Sequence, residues 1–185
     1  MATQPLEQAI ASTRAVLAGV SKEQLDDDTP CAQWKVSALI NHIVGGQYFF
    51  EACAKGDPPS GNDTDFSATD FVSAFDEGAR RSVEAFSADG VMQKTLTLPF
   101  GQMPGAAFLG IAATDTFTHG WDLAKATGQD TTLNDALAAQ LLAGAKQFIQ
   151  PALRSEAGNP FGPEQTAPAG ASNADQLAAF LGRKV

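Results

Sequence analysis

Apolar residues return every three or four positions along most of this chain, a period that places them on one side of a helix and not of a strand. Leu6 to Leu17 carries Leu6, Ile10, Val16 and Leu17 at that spacing, and Lys35 to Ala54 carries Val36, Leu39, Ile40, Ile43, Phe50 and Cys53 on one broad face. Ser67 to Phe86 follows, with Phe71, Ala74, Phe75 and Val83 spaced for burial, then the strongly apolar stretch Gly105 to Ala126, then Leu133 to Ile149, and a short helix over Ala174 to Leu181. The punctuation agrees. Ser37 lies where it can cap the second helix, Gly128 suits a left-handed stop, Thr132 or Asn134 can cap the next helix, and Pro151 lies beyond its end. Ser21 to Trp34, with Asp26, Asp27, Asp28, Thr29 and Pro30, reads as a connector; Gly56 to Asp65 and Arg154 to Ser172 read as loops. Only Lys94 to Pro99 alternates polar with apolar, which predicts a short extended segment or hairpin between Asp89 and Pro104. The expected fold is all-α, with one short extended segment and an extra C-terminal helix. A length of 185 residues fits one domain, 1–185.

Charge narrows the partners. The formal net charge is −9 and no run of Lys or Arg offsets it, so a phosphate-tracking surface is not expected and nucleic acid is excluded as a partner. The same acidity argues against an anionic membrane surface, and no stretch approaches the ~20 apolar residues that span a bilayer. The N-terminus has neither the basic region nor the apolar run of a signal peptide. Two cysteines, Cys31 and Cys53, fit a reducing compartment and lack zinc-finger spacing. The expectation is a cytoplasmic protein whose partners are small molecules, with a homodimer through helix faces also compatible with the pattern.

The chain has two histidines, both inside apolar helical stretches. His42 is flanked by Leu39, Ile40, Ile43 and Val44. His119 stands four residues after Asp115, so the two side chains point the same way to within roughly 40° and stack on adjacent turns. No other charge occurs from Gly105 to Thr114, and no Lys or Arg follows on that helix before Lys125. A carboxylate on such a stripe needs a cation or strong donors. Imidazole nitrogen with carboxylate oxygen is an ordinary ligand set for zinc, and nickel or iron accept it too. His42, Asp115 and His119 are therefore the candidate ligands of a divalent ion, zinc first. Three protein ligands leave a position open for water or substrate. The competing reading is an Asp–His hydrogen bond in the core with no metal, and spacing alone does not separate the two.

Two motifs resemble a known family. Thr29-Pro30-Cys31-Ala32-Gln33-Trp34-Lys35-Val36, followed by Leu39-Ile40-Asn41-His42-Ile43, resembles the DinB-like (DinB/YfiT) metal-binding superfamily, and within it the N-terminal domain of mycothiol-dependent maleylpyruvate isomerases. His119-Gly120-Trp121-Asp122-Leu123-Ala124-Lys125-Ala126-Thr127-Gly128 resembles the family's second signature, with Asp115 where the isomerases commonly carry Glu. The ending Leu177-Ala178-Ala179-Phe180-Leu181-Gly182-Arg183 is also similar to members of this group. The resemblance implies a DinB/YfiT-type four-helix bundle with a metal near one end, and mycothiol as a cofactor. It implies an enzyme using a low-molecular-weight thiol on small electrophiles, by S-transfer or isomerisation. A metal-binding module without catalysis, structural or sensing, is the alternative; a closed shell with Asp122 or Cys31 as fourth ligand would favour it.

Other residues carry two readings each. Cys31 lies just before a helix, where a thiolate would feel the favourable dipole, or is a small packing residue. Cys53 reads as core. Trp34 and Trp121 line a pocket or anchor helix packing. Asp122 is a ligand, an acceptor orienting His119, or a solvent-facing carboxylate. Arg183 reads as a surface residue, for which the resemblance allows a structural ion pair.

Overall fold

A computed structural model describes residues 2–58, 64–155 and 161–185. Helices run over Gln4–Ala18 (α1), Val36–Lys55 (α2), Phe71–Ser87 (α3), Gly105–Thr127 (α4), Asp135–Phe148 (α5) and Asn173–Phe180 (α6). An antiparallel hairpin of Thr95–Leu98 (β1) and Gly101–Pro104 (β2) sits between α3 and α4, where the alternation predicts it, with Thr95 opposite Pro104 and Leu98 opposite Gly101. The all-α expectation holds, hairpin and extra C-terminal helix included.

The first four helices form a ring in which α4 packs on α1 and α2, and α3 packs on α2 and α1. α2 and α4 run antiparallel along their contact: the His42 and His119 rings meet at one end, and Phe50 meets Phe108 further along. α1 lies close against α4 because Gly120 has no side chain; a Cβ there would collide with Thr13 Oγ1. α5 and α6 pack on each other and on the outer side of α4, where the Trp121 Nε1–H donates to Asp175 Oδ1 at 2.8 Å. The largest fully buried side chains are Trp121, Phe75, Phe86, Phe108 and Phe117, each contributing about 1.5–3 kcal/mol on burial.

Local differences have local causes. α3 begins at Phe71, not Ser67, because Phe66–Ala68 form a short 3-10 turn that buries Phe66, and the Asp70 side chain caps Ser73 N–H at 3.1 Å. Ser37 does not cap α2. The free N–H groups of Val36 and Ser37 donate instead to the Asp27 and Leu25 carbonyls, so the connector itself closes that helix end. Asn134, one of the two expected caps, accepts from Leu137 N–H, and Gly128 takes the left-handed conformation expected of it, at φ +70°. The predicted loops at Gly56 to Asp65 and Arg154 to Ser172 lie partly outside the described residues; their described parts contain no α-helix or strand. No helix among the described residues is long and apolar enough to cross a membrane.

Candidate metal centre

The antiparallel crossing of α2 and α4 brings His42 to Asp115 and His119. The ligand-type atoms of these three residues all lie within 4.8 Å of one another. His42 Nε2 is 3.7 Å from Asp115 Oδ2, and His119 Nε2 is 3.5 Å from Asp115 Oδ1. The two imidazole rings meet edge to face, with centroids 4.5 Å apart.

These separations bear on the hydrogen-bond alternative. The His42–Asp115 pair is too long for a hydrogen bond, and His42 Nε2 is a buried atom with no hydrogen-bond partner. Two metal–ligand bonds of about 2.1 Å meeting at a tetrahedral angle put their donor atoms about 3.4 Å apart. The two printed separations are close to that value, and the orphaned nitrogen is a polar atom that such an ion would satisfy. The residues fit a divalent cation.

Asp115 is less buried than its apolar stretch suggests. Its side chain is 32% exposed and that of His42 36%, whereas that of His119 is 11% exposed. Burial pushes the Asp115 carboxyl up, but the His119 and His42 imidazoles outweigh it and hold the group below its ordinary value.

The other edge of His119 is closed. Its Nδ1 lies 2.9 Å from Asp122 Oδ2, and a carboxylate only accepts, so Nδ1 carries a proton and Nε2 is the ring nitrogen turned to Asp115 and His42. Asp122 has no solvent exposure. Arg183 grips it with two hydrogen bonds, Nε to Oδ1 at 3.2 Å and Nη2 to Oδ2 at 2.9 Å, and the Cys31 thiol donates to Oδ2 at 3.2 Å. Burial alone would raise the Asp122 carboxyl; His119 and Arg183 reverse that and hold it at about 2. Among the readings open for Asp122, this geometry is that of an acceptor orienting His119.

Of the two readings of Arg183, the surface one is corrected and the structural ion pair allowed by the resemblance is the one found. Its side chain is 16% exposed. α6 ends at Phe180, Gly182 turns the backbone at φ +97°, and the side chain then reaches back to α4. The signal that points to this ion pair is charge balance: a carboxylate at position 122 of an apolar helix needs a cation, and the helix itself offers none before Lys125. The burial of the Cys31 thiol, together with the Asp122 charge beside it, pushes it up to about 12. It is a protonated donor at neutral pH and not an activated nucleophile.

The connector motif positions both aromatic and thiol. The Thr29 hydroxyl donates to the Trp34 carbonyl at 2.8 Å and accepts from Cys31 N–H at 3.1 Å, and Trp34 N–H donates to the Cys31 carbonyl at 2.7 Å. This tight turn sets Cys31 at the Nδ1 edge of His119 and lays the Trp34 ring 4.6 Å from the His42 ring and 5.7 Å from that of His119. Trp34 is thus at the centre, while Trp121 is fully buried in helix packing. Cys53 is core, as read. Asn41 bonds to Asp65 and to Ser67 N–H, and buried Gln47 bridges Ser82 to Thr116 between helices.

The profile of the mycothiol maleylpyruvate isomerase N-terminal domain matches residues 6–124, a span that holds His42, Asp115, His119 and Asp122 but not Arg183. Two Mycobacterium tuberculosis proteins, the uncharacterized proteins MT0763 (strain CDC 1551 / Oshkosh) and Rv0738 (strain ATCC 25618 / H37Rv), are each 42% identical over 187 residues, covering 100% of this chain and 97% of theirs. The crystal structure of the mycothiol-dependent maleylpyruvate isomerase superposes with a TM-score of 0.54 at 13% identity, over 66% of this chain and 59% of that one. A histidine-to-alanine mutant of that isomerase gives 0.57 at 13% identity, over 77% and 66%. The chain thus spans about three fifths to two thirds of the length of those solved structures, and the likeness to them is one of fold.

Proposed function

Given that the chain belongs to the mycothiol maleylpyruvate isomerase N-terminal domain family, we propose that it binds one divalent metal ion and uses a low-molecular-weight thiol of the mycothiol type on small electrophiles. One observation carries the metal reading: His42 Nε2 is buried, unpartnered and faces a carboxylate at 3.7 Å. His42, Asp115 and His119 are the ligands in this reading, with zinc the first choice and nickel or iron accepting the same donors. When bound, the ion supplies Lewis acidity, which lowers the pKa of a coordinated thiol towards neutrality.

The protein's own residues prepare that chemistry. Asp122 fixes the tautomer and tilt of His119, and Arg183 keeps Asp122 ionised. Trp34 covers the imidazole pair on one side. Cys31 is held protonated, so the nucleophile comes from outside the chain, which supports a thiol cosubstrate. The external thiolate forms a C–S bond to an electrophilic carbon. As it forms, the C=C π bond of a conjugated electrophile breaks and its electron pair moves onto the carbonyl as an enolate; if the enolate carbon then takes a proton from solvent, the S-conjugate is the product. If the adduct rotates about a former double bond and then expels the thiolate, the thiol is regenerated and the product is an isomer.

The non-catalytic alternative needs a closed shell, and its two candidate closing residues, Asp122 and Cys31, both lie at the Nδ1 edge of His119, away from Asp115 and His42. That supports an open position and hence an enzyme. In our reading residues 1–185 work as one domain in the cytoplasm, where the free thiols of Cys31 and Cys53 stay reduced. The test is metal-loaded protein assayed with mycothiol against a panel of electrophiles. Thiol-dependent consumption that disappears in His119→Ala supports the proposal; stoichiometric metal with no consumption on any electrophile defeats the enzymatic part.

A further inference from the structure

We infer that Gly46 is a specificity-determining residue of this centre: its missing side chain keeps open the side of Asp115 from which an external donor approaches. The inference rests on the metal-binding reading above. Gly46 stands one turn after His42 on α2, on the same face, and is only partly buried. A Cβ built there would meet just two atoms, a Phe50 ring carbon at 3.7 Å and Asp115 Oδ2 at 4.0 Å. Both are ordinary van der Waals contacts.

Packing therefore does not demand a glycine at this position. Gly120 is the contrast: a Cβ there collides with Thr13, so helix packing alone explains it. A glycine in a helix interior weakens the helix relative to alanine, and φ at Gly46 is helical, so no turn or left-handed conformation needs it either. What Gly46 leaves is space against the carboxylate oxygen that faces the orphaned His42 nitrogen. Both side chains are about one third exposed, whereas Trp34 covers the imidazoles and Asp122 with Arg183 seals the far edge of His119. The room at Gly46 suits a donor atom that carries bulk on the adjoining carbons, as a cysteine-derived thiol does, and is superfluous for a slim triatomic anion.

Gly45 supplies the control. It neighbours Gly46 in the same helix, and a Cβ there would meet only a Phe66 ring carbon at 4.0 Å. The experiment loads wild type, Gly45→Ala, Gly46→Ala and Gly46→Val with cobalt(II) and titrates each with N-acetylcysteine and with azide, reading metal content, the thiolate-to-cobalt absorption and Tm. Each alanine variant should keep one cobalt per chain and gain roughly 1–4 °C in Tm. Gly46→Ala should bind N-acetylcysteine roughly tenfold more weakly, the effect of one misplaced methyl in a fitted site, and Gly46→Val more weakly still. Azide binding should stay within about twofold, and Gly45→Ala should match wild type for both ligands.

Equal thiol affinity in wild type and both Gly46 variants, or a lower Tm or lost cobalt in Gly46→Ala, overturns the role of Gly46 and leaves the metal reading standing. Wild type that takes up no cobalt overturns the metal reading itself, and this inference with it.

Discussion

The two edges of the His119 ring face opposite kinds of surroundings. At Nδ1 every polar atom has a partner: Asp122 is fully buried, and Arg183, Cys31 and the imidazole all bond to it. At Nε2 the neighbours are half-open to solvent, spaced beyond hydrogen bonding, and one of them is an orphan. One histidine thus joins a saturated polar network to an unsaturated one. The contrast teaches how one edge of a ring can stay open: the closed edge supplies orientation and stability, so the open edge need not hold itself together.

That contrast predicts which substitutions cost what. On the open edge, His42→Ala should abolish stoichiometric metal binding while moving the Tm of the metal-free protein by no more than a few degrees, because the imidazole nitrogen has no partner to lose; elemental analysis and a thermal melt check both halves. A large loss of apo stability would break the comparison. On the closed edge the order reverses. Arg183→Leu leaves the buried Asp122 carboxylate without its cation, held only by His119 and Cys31, at about 3–5 kcal/mol, a Tm drop of roughly 6–20 °C in a chain of this size.

Acid sharpens it further. The folded Asp122 carboxyl, at about 2, lies below its unfolded value, so its contribution is complete above the unfolded pKa and fades as pH falls towards 2. The stability gap between metal-free wild type and Asp122→Asn should shrink steadily as pH falls below about 4. A gap that stays constant as pH falls from about 4 towards 2 contradicts the assignment. The smallest effect concerns Cys31. With its thiol pushed up to about 12, alkylation of the native protein by iodoacetamide at pH 8 should run roughly a thousandfold slower at Cys31 than in the denatured chain, as peptide mass mapping over time would show.

The helices were legible because the apolar period is local: each element announces itself within its own residues, and Gly128 and Asn134 mark ends with chemistry that acts over one turn. Asp115 and His119 were legible as a pair for the same reason. That His42 meets them depends on how α2 crosses α4, which no spacing encodes; the family motifs carried that step. Ser37 misled because the carbonyls that close α2 come from a connector whose path is set by tertiary packing. The partner of Arg183 was illegible for a similar reason, although the resemblance allowed Arg183 an ion pair. Arg183 lies 61 residues from Asp122, and its reach follows from the Gly182 turn and the docking of α6.

The most direct test is X-ray absorption on zinc-loaded protein with a metal-to-chain ratio measured on the same sample. The account predicts one zinc per chain with nitrogen and oxygen ligands at about 2.0–2.1 Å, outer-sphere scattering from two imidazoles, and no sulfur ligand from the protein. A sulfur scatterer at about 2.3 Å in thiol-free buffer, scattering from a single imidazole, or no bound zinc would contradict it.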